Sequence, residues 1–252
     1  MNLLKKLPIP IAGLILSMFA LGNLLQSYSN VVRLCIGGVA LILYIIFVLK
    51  VVVLNSKLKT VLDNPVAASV LLTITMATIL LSSYAKPYSS VLAVVVWFVG
   101  VILHILLMIW FSLKFLPNFS IKKVFPSWYI VYVGIATASV TAGAAGQLKL
   151  GQICFWFALI SYFILIPVVC YRVFKVKEIP EPAKPTFAIL SCISRIFKHI
   201  SSKKHYICNS FICNFSFILY YSFIEYAKSI EIKIFSRIFG LYIPTCNKCN
   251  FK

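Results

Sequence analysis

Six stretches of this chain, at about residues 8–27, 31–54, 65–84, 88–115, 127–146 and 150–173, are apolar over about 20 residues or more each. A helix of that length crosses the ~30 Å hydrocarbon core of a bilayer at 1.5 Å per residue. Composition agrees: 62% of the 252 residues are hydrophobic and 12% are charged, where a soluble domain has about 25% charged residues. The expected fold class is all-α, a polytopic membrane protein. The opening "MNLLKKLPIPIAGLILSMFALGN" has the charged start and apolar run of a signal peptide. No small-x-small cleavage site follows and further spans come at once, so it reads as the first span.

The spans are of two kinds. Spans 2 ("GGVALILYIIFVLKVVVL") and 4 ("VLAVVVWFVGVILHILLMIWFSL") are bulky and apolar on all sides, as lipid-facing helices are. Spans 1, 3 and 5 carry Gly, Ala, Ser and Thr, as in "YVGIATASVTAGAAG", and two begin just after Pro65 and Pro126. Small residues let backbones approach or line a passage, so the alternation predicts an inner ring of odd helices and an outer ring of even ones.

The net charge of +19 reads as a loop bias. Lys5, Lys6, Lys50, Lys57, Lys59, Lys114, Lys122, Lys123, Arg172, Lys175, Lys177 and Lys184 fall on one side of the spans, and only Arg33, Lys86 and Lys149 on the other. Twelve against three places the N-terminus in the cytoplasm of a multi-pass cell-membrane protein. No basic face with interleaved aromatics lies outside the spans, so no nucleic-acid partner is expected. Before residue 190 the acidic residues are Asp63, Glu178 and Glu181, all in loops. His104, well inside span 4, raises a proton-relay reading; its bulky, outer-type helix favours a packed or hydrogen-bonded imidazole. Without a buried carboxylate a cation relay has little to work with. Anions can use helix N-termini and hydroxyls instead.

Four segments, "LPIPIAGLILSMFALGNLL", "FPSWYIVYVGIATASVTAG", "LGQICFWFALISYFILIPVVCYR" and "EPAKPTFAIL", resemble successive parts of the tellurite-resistance/dicarboxylate transporter (TDT) family. That family includes tellurite-resistance proteins, malate and sulfite exporters and the plant slow anion channels. The resemblance covers about residues 5–190; the P-S-W-Y start of span 5 and Pro167 to Arg172 are its more specific parts. It implies ten helices in five hairpins, odd helices around a central pore, trimeric assembly, and a gating phenylalanine on the ninth helix. The substrate would be a small anion: a C4-dicarboxylate such as malate, sulfite, tellurite or an inorganic anion. Candidate pore-lining residues, one face per odd span, are Gly13, Ser17 and Ala20, then Ser69, Thr73 and Ala77, then Gly134, Ala138 and Thr141. Each is equally readable as a helix-packing contact. Passage along a pore needs no covalent chemistry and no cofactor. No Ser/His/Asp constellation supports the toxin label given to some relatives, so no enzyme is expected.

The chain changes character after Leu190. Residues 191–252 hold five of the eight cysteines but a single glycine, Gly240, and a single alanine, Ala227. Lys, Ile, Asn, Ser, Phe and Tyr dominate, as in AT-rich coding sequence translated out of frame. Loss of two bases from codons for the family's A-P-A-S-L yields Ser191-Cys192-Ile193-Ser194. Codons can be chosen for Lys233 through Asn250 that, read one base later, spell K-F-F-P-G-F-S-A-F-T-F-P-L-V-I-S-A-I, similar to the family's ninth helix. The expected domains are thus a transporter region, 1–190, and an out-of-frame tail, 191–252. On that reading Cys246 and Cys249, a C-x-x-C pair, are shifted codons for an apolar helix. Two alternatives remain: a membrane stub that does not transport, and a cytosolic zinc clip using Cys246 and Cys249 with Cys208, Cys213, His199 or His205, whose spacings match no compact four-ligand site. No metal site is assigned.

Overall fold

The computed structural model describes residues 8–53, 62–117, 120–121 and 124–172. Segment 191–252, with the C-x-x-C pair and the other zinc ligands weighed above, lies outside the described residues, as do Glu178 and Glu181. The regular elements among the described residues are helices: α1 (Ile11–Leu25), α2 (Asn30–Val53), α3 (Pro65–Leu71), α4 (Thr73–Ala85), α5 (Ser90–Phe115), α6 (Trp128–Tyr132), α7 (Ala136–Thr141) and α8 (Leu148–Tyr171). Among the described residues four stretches are long and apolar enough to span a bilayer: Asn30–Val53, Pro65–Ala85, Ser90–Phe115 and Leu148–Val169. The helix α1 is shorter, and turn bonds from Ile11 N to Pro8 O and from Tyr28 N to Leu25 O extend it at both ends.

Helix starts follow local chemistry. Pro65 sits at the first turn of α3, where its missing N–H costs nothing, and the Asn64 side chain accepts from Val66 N at 2.9 Å. Ser89 accepts from Leu92 N at 3.3 Å to open α5. Span 5 ends at Gly146, whose φ of +68° favours glycine; the Gln147 N–H then closes back on Ala142 O at 2.9 Å before α8 begins.

Neighbouring spans form hairpins: α1 lies on α2, α4 on α5, and α7 on α8. Across the hairpins α4 packs on both α1 and α7, so spans 1, 3 and 5 are contiguous. Of the apolar windows, 61% of Pro65–Ala85 is buried, against 22% for α2, 28% for α5 and 39% for α8. The odd helices therefore form an inner arc with even helices outside it. Close approach rests on glycine. Gly22 and Gly37 receive the Tyr84 ring, Gly100 lies against the Ile79 backbone, and Gly151 against Ala142.

The even spans are not apolar on all sides in the same sense. In α5, Ala93, Trp97, Gly100, His104, Phe111 and Phe115 form one buried stripe at spacings of three, four and seven, while Val95, Ile102, Leu106 and Ile109 stay exposed. Trp97 Nε1–H donates to Thr141 Oγ1 at 3.1 Å, and Ser112 Oγ meets Tyr132 Oη at 3.0 Å, tying span 4 to span 5.

Candidate functional site

Where a single helix was expected for span 3 and for span 5, each consists of two pieces. Span 3 breaks at Leu72, whose N–H turns tightly onto Ser69 O at 3.2 Å. Span 5 breaks at Val133–Ile135, around Gly134. There Gly134 N reaches Tyr129 O at 3.1 Å, and the following bonds, such as Thr137 N to Gly134 O, are three-residue turns. A broken helix at membrane depth is tolerated only where other groups satisfy the freed backbone. His104 does this. Its Nε2 lies 3.2 Å from Val131 O, which no backbone N–H reaches, and its Nδ1 lies 2.7 Å from Thr75 Oγ1, one turn past the span 3 break. A carbonyl only accepts, so Nε2 carries the ring proton and Nδ1 accepts from the Thr75 hydroxyl. Thr75 shares its one proton with Leu72 O at 2.7 Å. His104 is fully buried. The hydrogen-bonded role expected for it is the observed one, and its partners are the two breaks of the inner arc.

The nine candidate lining residues separate into two groups. Gly13 is half-buried, and Ser17 and Ala20 are exposed on one open face of α1, beside Leu14 and Leu21. Ser69, Thr73, Ala77, Gly134, Ala138 and Thr141 are buried between helices among the described residues. Gly134 faces Met76 and His104. All four hydroxyls donate within their own span: Ser17 to Leu14 O, Ser69 to Val66 O, Thr73 across the Leu72 break to Val70 O, and Thr141 to Thr137 O. A hydroxyl has one proton, so these groups offer lone pairs more readily than donors.

A polar cluster absent from the sequence-based site lies at one end of the arc. Arg33 counts among the loop charges by sequence. It is in fact in the first turn of α2, only 7% exposed, and set between spans 1 and 3. Its Nε–H donates to Asn23 Oδ1 at 3.2 Å and its Nη2 to Ser83 O at 2.8 Å. Asn23 Nδ2 donates to Ser83 Oγ at 2.8 Å. The guanidinium sits 4.6 Å over the Tyr84 ring, and Tyr84 Oη donates to Phe19 O at 2.9 Å. The signal was present in the sequence: an arginine inside an apolar window is a functional-site candidate by default. At the other end Lys114 pairs with Asp63 at 2.6 Å. Among the described residues no group of three His, Cys, Asp or Glu could hold a metal.

Apolar hairpins, an inner arc of broken odd helices and an outer layer of even helices define a multi-pass helical membrane protein of the channel or transporter class. Residues 6–193 match the voltage-dependent anion channel family, SLAC1. The chain belongs to this family of membrane anion channels and transporters, the one its segments resemble, and is not an enzyme. No curated protein matches it.

Proposed function

We propose that the protein passes small anions along an axis lined by the inner arc: C4-dicarboxylates such as malate, sulfite, tellurite, or inorganic anions. The observation that carries this is the contiguity of spans 1, 3 and 5, with broken backbone in two of them. Both breaks are bridged by the buried His104 and so shape the arc, while the passage is sought on its open side. The one carboxylate among the described residues, Asp63, lies outside the helices and pairs with Lys114, so the arc offers a cation no counter-charge. The open face of α1 with Gly13, Ser17 and Ala20 is the part of the arc we assign to the passage. The loop-charge bias supports a cytoplasmic N-terminus in the plasma membrane, and the family resemblance supports a homotrimer for a full-length form.

A second reading concerns the chain as written. The family match ends at 193, where the composition changes, which supports an out-of-frame tail and a stub that does not transport. Without helices 7 and 9 the open face of α1, with the Ser17 hydroxyl, would meet lipid in place of an enclosed passage. Restoring two bases near codon 190 tests both readings. Vesicle flux of labelled malate, sulfite, nitrate and chloride is expected from the frame-restored form and not from the 252-residue form. Equal saturable flux from both would reject the frameshift; none from either, with both inserted, would reject the anion pathway.

A further inference from the structure

We propose that Arg33 forms an anion-binding site at the end of the arc, taking one singly charged anionic group through the free edge of its guanidinium. This deepens the anion reading above and rests on it for the choice of ligand, but the site itself is argued from its own geometry.

A guanidinium remains charged at every relevant pH, and buried charges are found paired. Arg33 is more than nine-tenths buried, yet all its acceptors are neutral: the Asn23 amide oxygen, the Ser83 backbone carbonyl and the Tyr84 ring face. The one carboxylate among the described residues, Asp63, is paired with Lys114 at the start of span 3. Some 20 residues of helix, about 30 Å at 1.5 Å per residue, separate it from Ser83. The Nη1 donors have no partner among the described residues and are not sealed off. The plain alternative is that Arg33 only caps the last turn of α4, since Ser83 is near its C-terminus and helix ends attract cations. That role uses Nη2 and leaves Nη1 and most of the charge uncompensated. Lys86, three residues beyond Ser83, adds positive potential at the same end.

The cluster is also built to hold the guanidinium still. Asn23 and Ser83 bridge spans 1 and 3 beneath it, and Tyr84 is keyed between Gly22 and Gly37 with its hydroxyl on Phe19 O. A fixed planar donor edge suits an oxyanion. Such an oxyanion is either free in solution or the phosphodiester of a lipid.

The test uses the purified 252-residue chain in dodecyl maltoside, which carries neither charge nor phosphate. In one arm sodium nitrate replaces sodium gluconate at constant ionic strength. In the other, dioleoylphosphatidylglycerol is titrated without nitrate. Unfolding temperature is followed in the wild type, Arg33→Gln and Arg33→Lys. The expected result is a saturable rise of a few degrees in the wild type, lost in Arg33→Gln and weakened in Arg33→Lys. Saturation by nitrate identifies a free anion, and saturation by the lipid alone identifies the headgroup. No saturable rise in either arm, or the same rise in Arg33→Gln, overturns the site. Should Arg33→Gln not fold, bromide in wild-type crystals decides: an anomalous peak within hydrogen-bonding reach of the guanidinium supports the site, and bromide bound only elsewhere overturns it. Binding is read without flux. Flux without this binding would remove the site and leave the pathway; binding without flux would do the reverse.

Discussion

His104 shows how one side chain can hold two discontinuities. Its two nitrogens meet Val131 O and Thr75 Oγ1, one partner at each break of the inner arc. His104→Phe keeps a ring there but leaves a buried carbonyl without a donor, which costs about 1–3 kcal/mol. Thr75→Val removes the other partner. The two losses share one network, so the double variant should be less destabilised than the sum of the singles, by about 0.5 kcal/mol or more. Thermal unfolding of the four proteins in detergent checks this, and strict additivity would show that the bonds do not act together. Gly37 and Gly38 give a paired case. A Cβ at Gly37 collides with the Tyr84 ring, whereas one at Gly38 meets nothing within 4 Å. Gly37→Val is expected to cost about 1–3 kcal/mol by overpacking and Gly38→Val close to nothing. Similar losses at both positions would contradict the keyed tyrosine.

Among the helices, α5 separates packing from hydropathy. Phe111 is fully buried against Trp128, ring centroids 5.3 Å apart, while Ile109 two residues earlier is 49% exposed. Phe111→Ala should cost about 3–5 kcal/mol through lost contacts and the cavity left behind. Ile109→Ala should stay within about 1 kcal/mol, because a lipid-facing side chain exchanges one apolar neighbour for another. Unfolding midpoints of the two variants give the comparison, and equal losses would mean that α5 buries both faces. The breaks in spans 3 and 5 belong to the same level. Their sequences read as continuous apolar helices, and only contact with α5 supplies the partner that lets the backbone of span 5 part at Gly134.

For the molecule as a whole, the hairpins are arranged so that odd spans touch one another and even spans shield them. That arrangement makes the face of α1 bearing Ser17 different from the buried face of α3 bearing Ser69. In a frame-restored form, Ser17→Cys should react with a charged methanethiosulfonate and be protected by transported anion. Ser69→Cys should not react. Cys35 is exposed and free, so both are read in a Cys35→Ser background. Labelling at 69 and not at 17 would move the passage off the open face of α1.

The sequence by itself determined that the chain is helical and membrane-spanning, because long uncharged runs have few other ways to satisfy their backbone in lipid. It also set the inner and outer ranks, since small residues can pack closely where Leu, Ile and Phe cannot. Hydropathy could not tell which stripe of α5 faces protein, as lipid and a packed interior are equally apolar. Nor did spacing reveal that six of the nine candidate lining residues are buried between helices, or that the hydroxyls donate to their own turns. Only the tertiary structure decided those points, along with the meeting of Asn23, Arg33, Ser83 and Tyr84 from three spans and the bridging of two helix breaks by His104. Each depends on distances between segments far apart in the chain, and no local pattern encodes them.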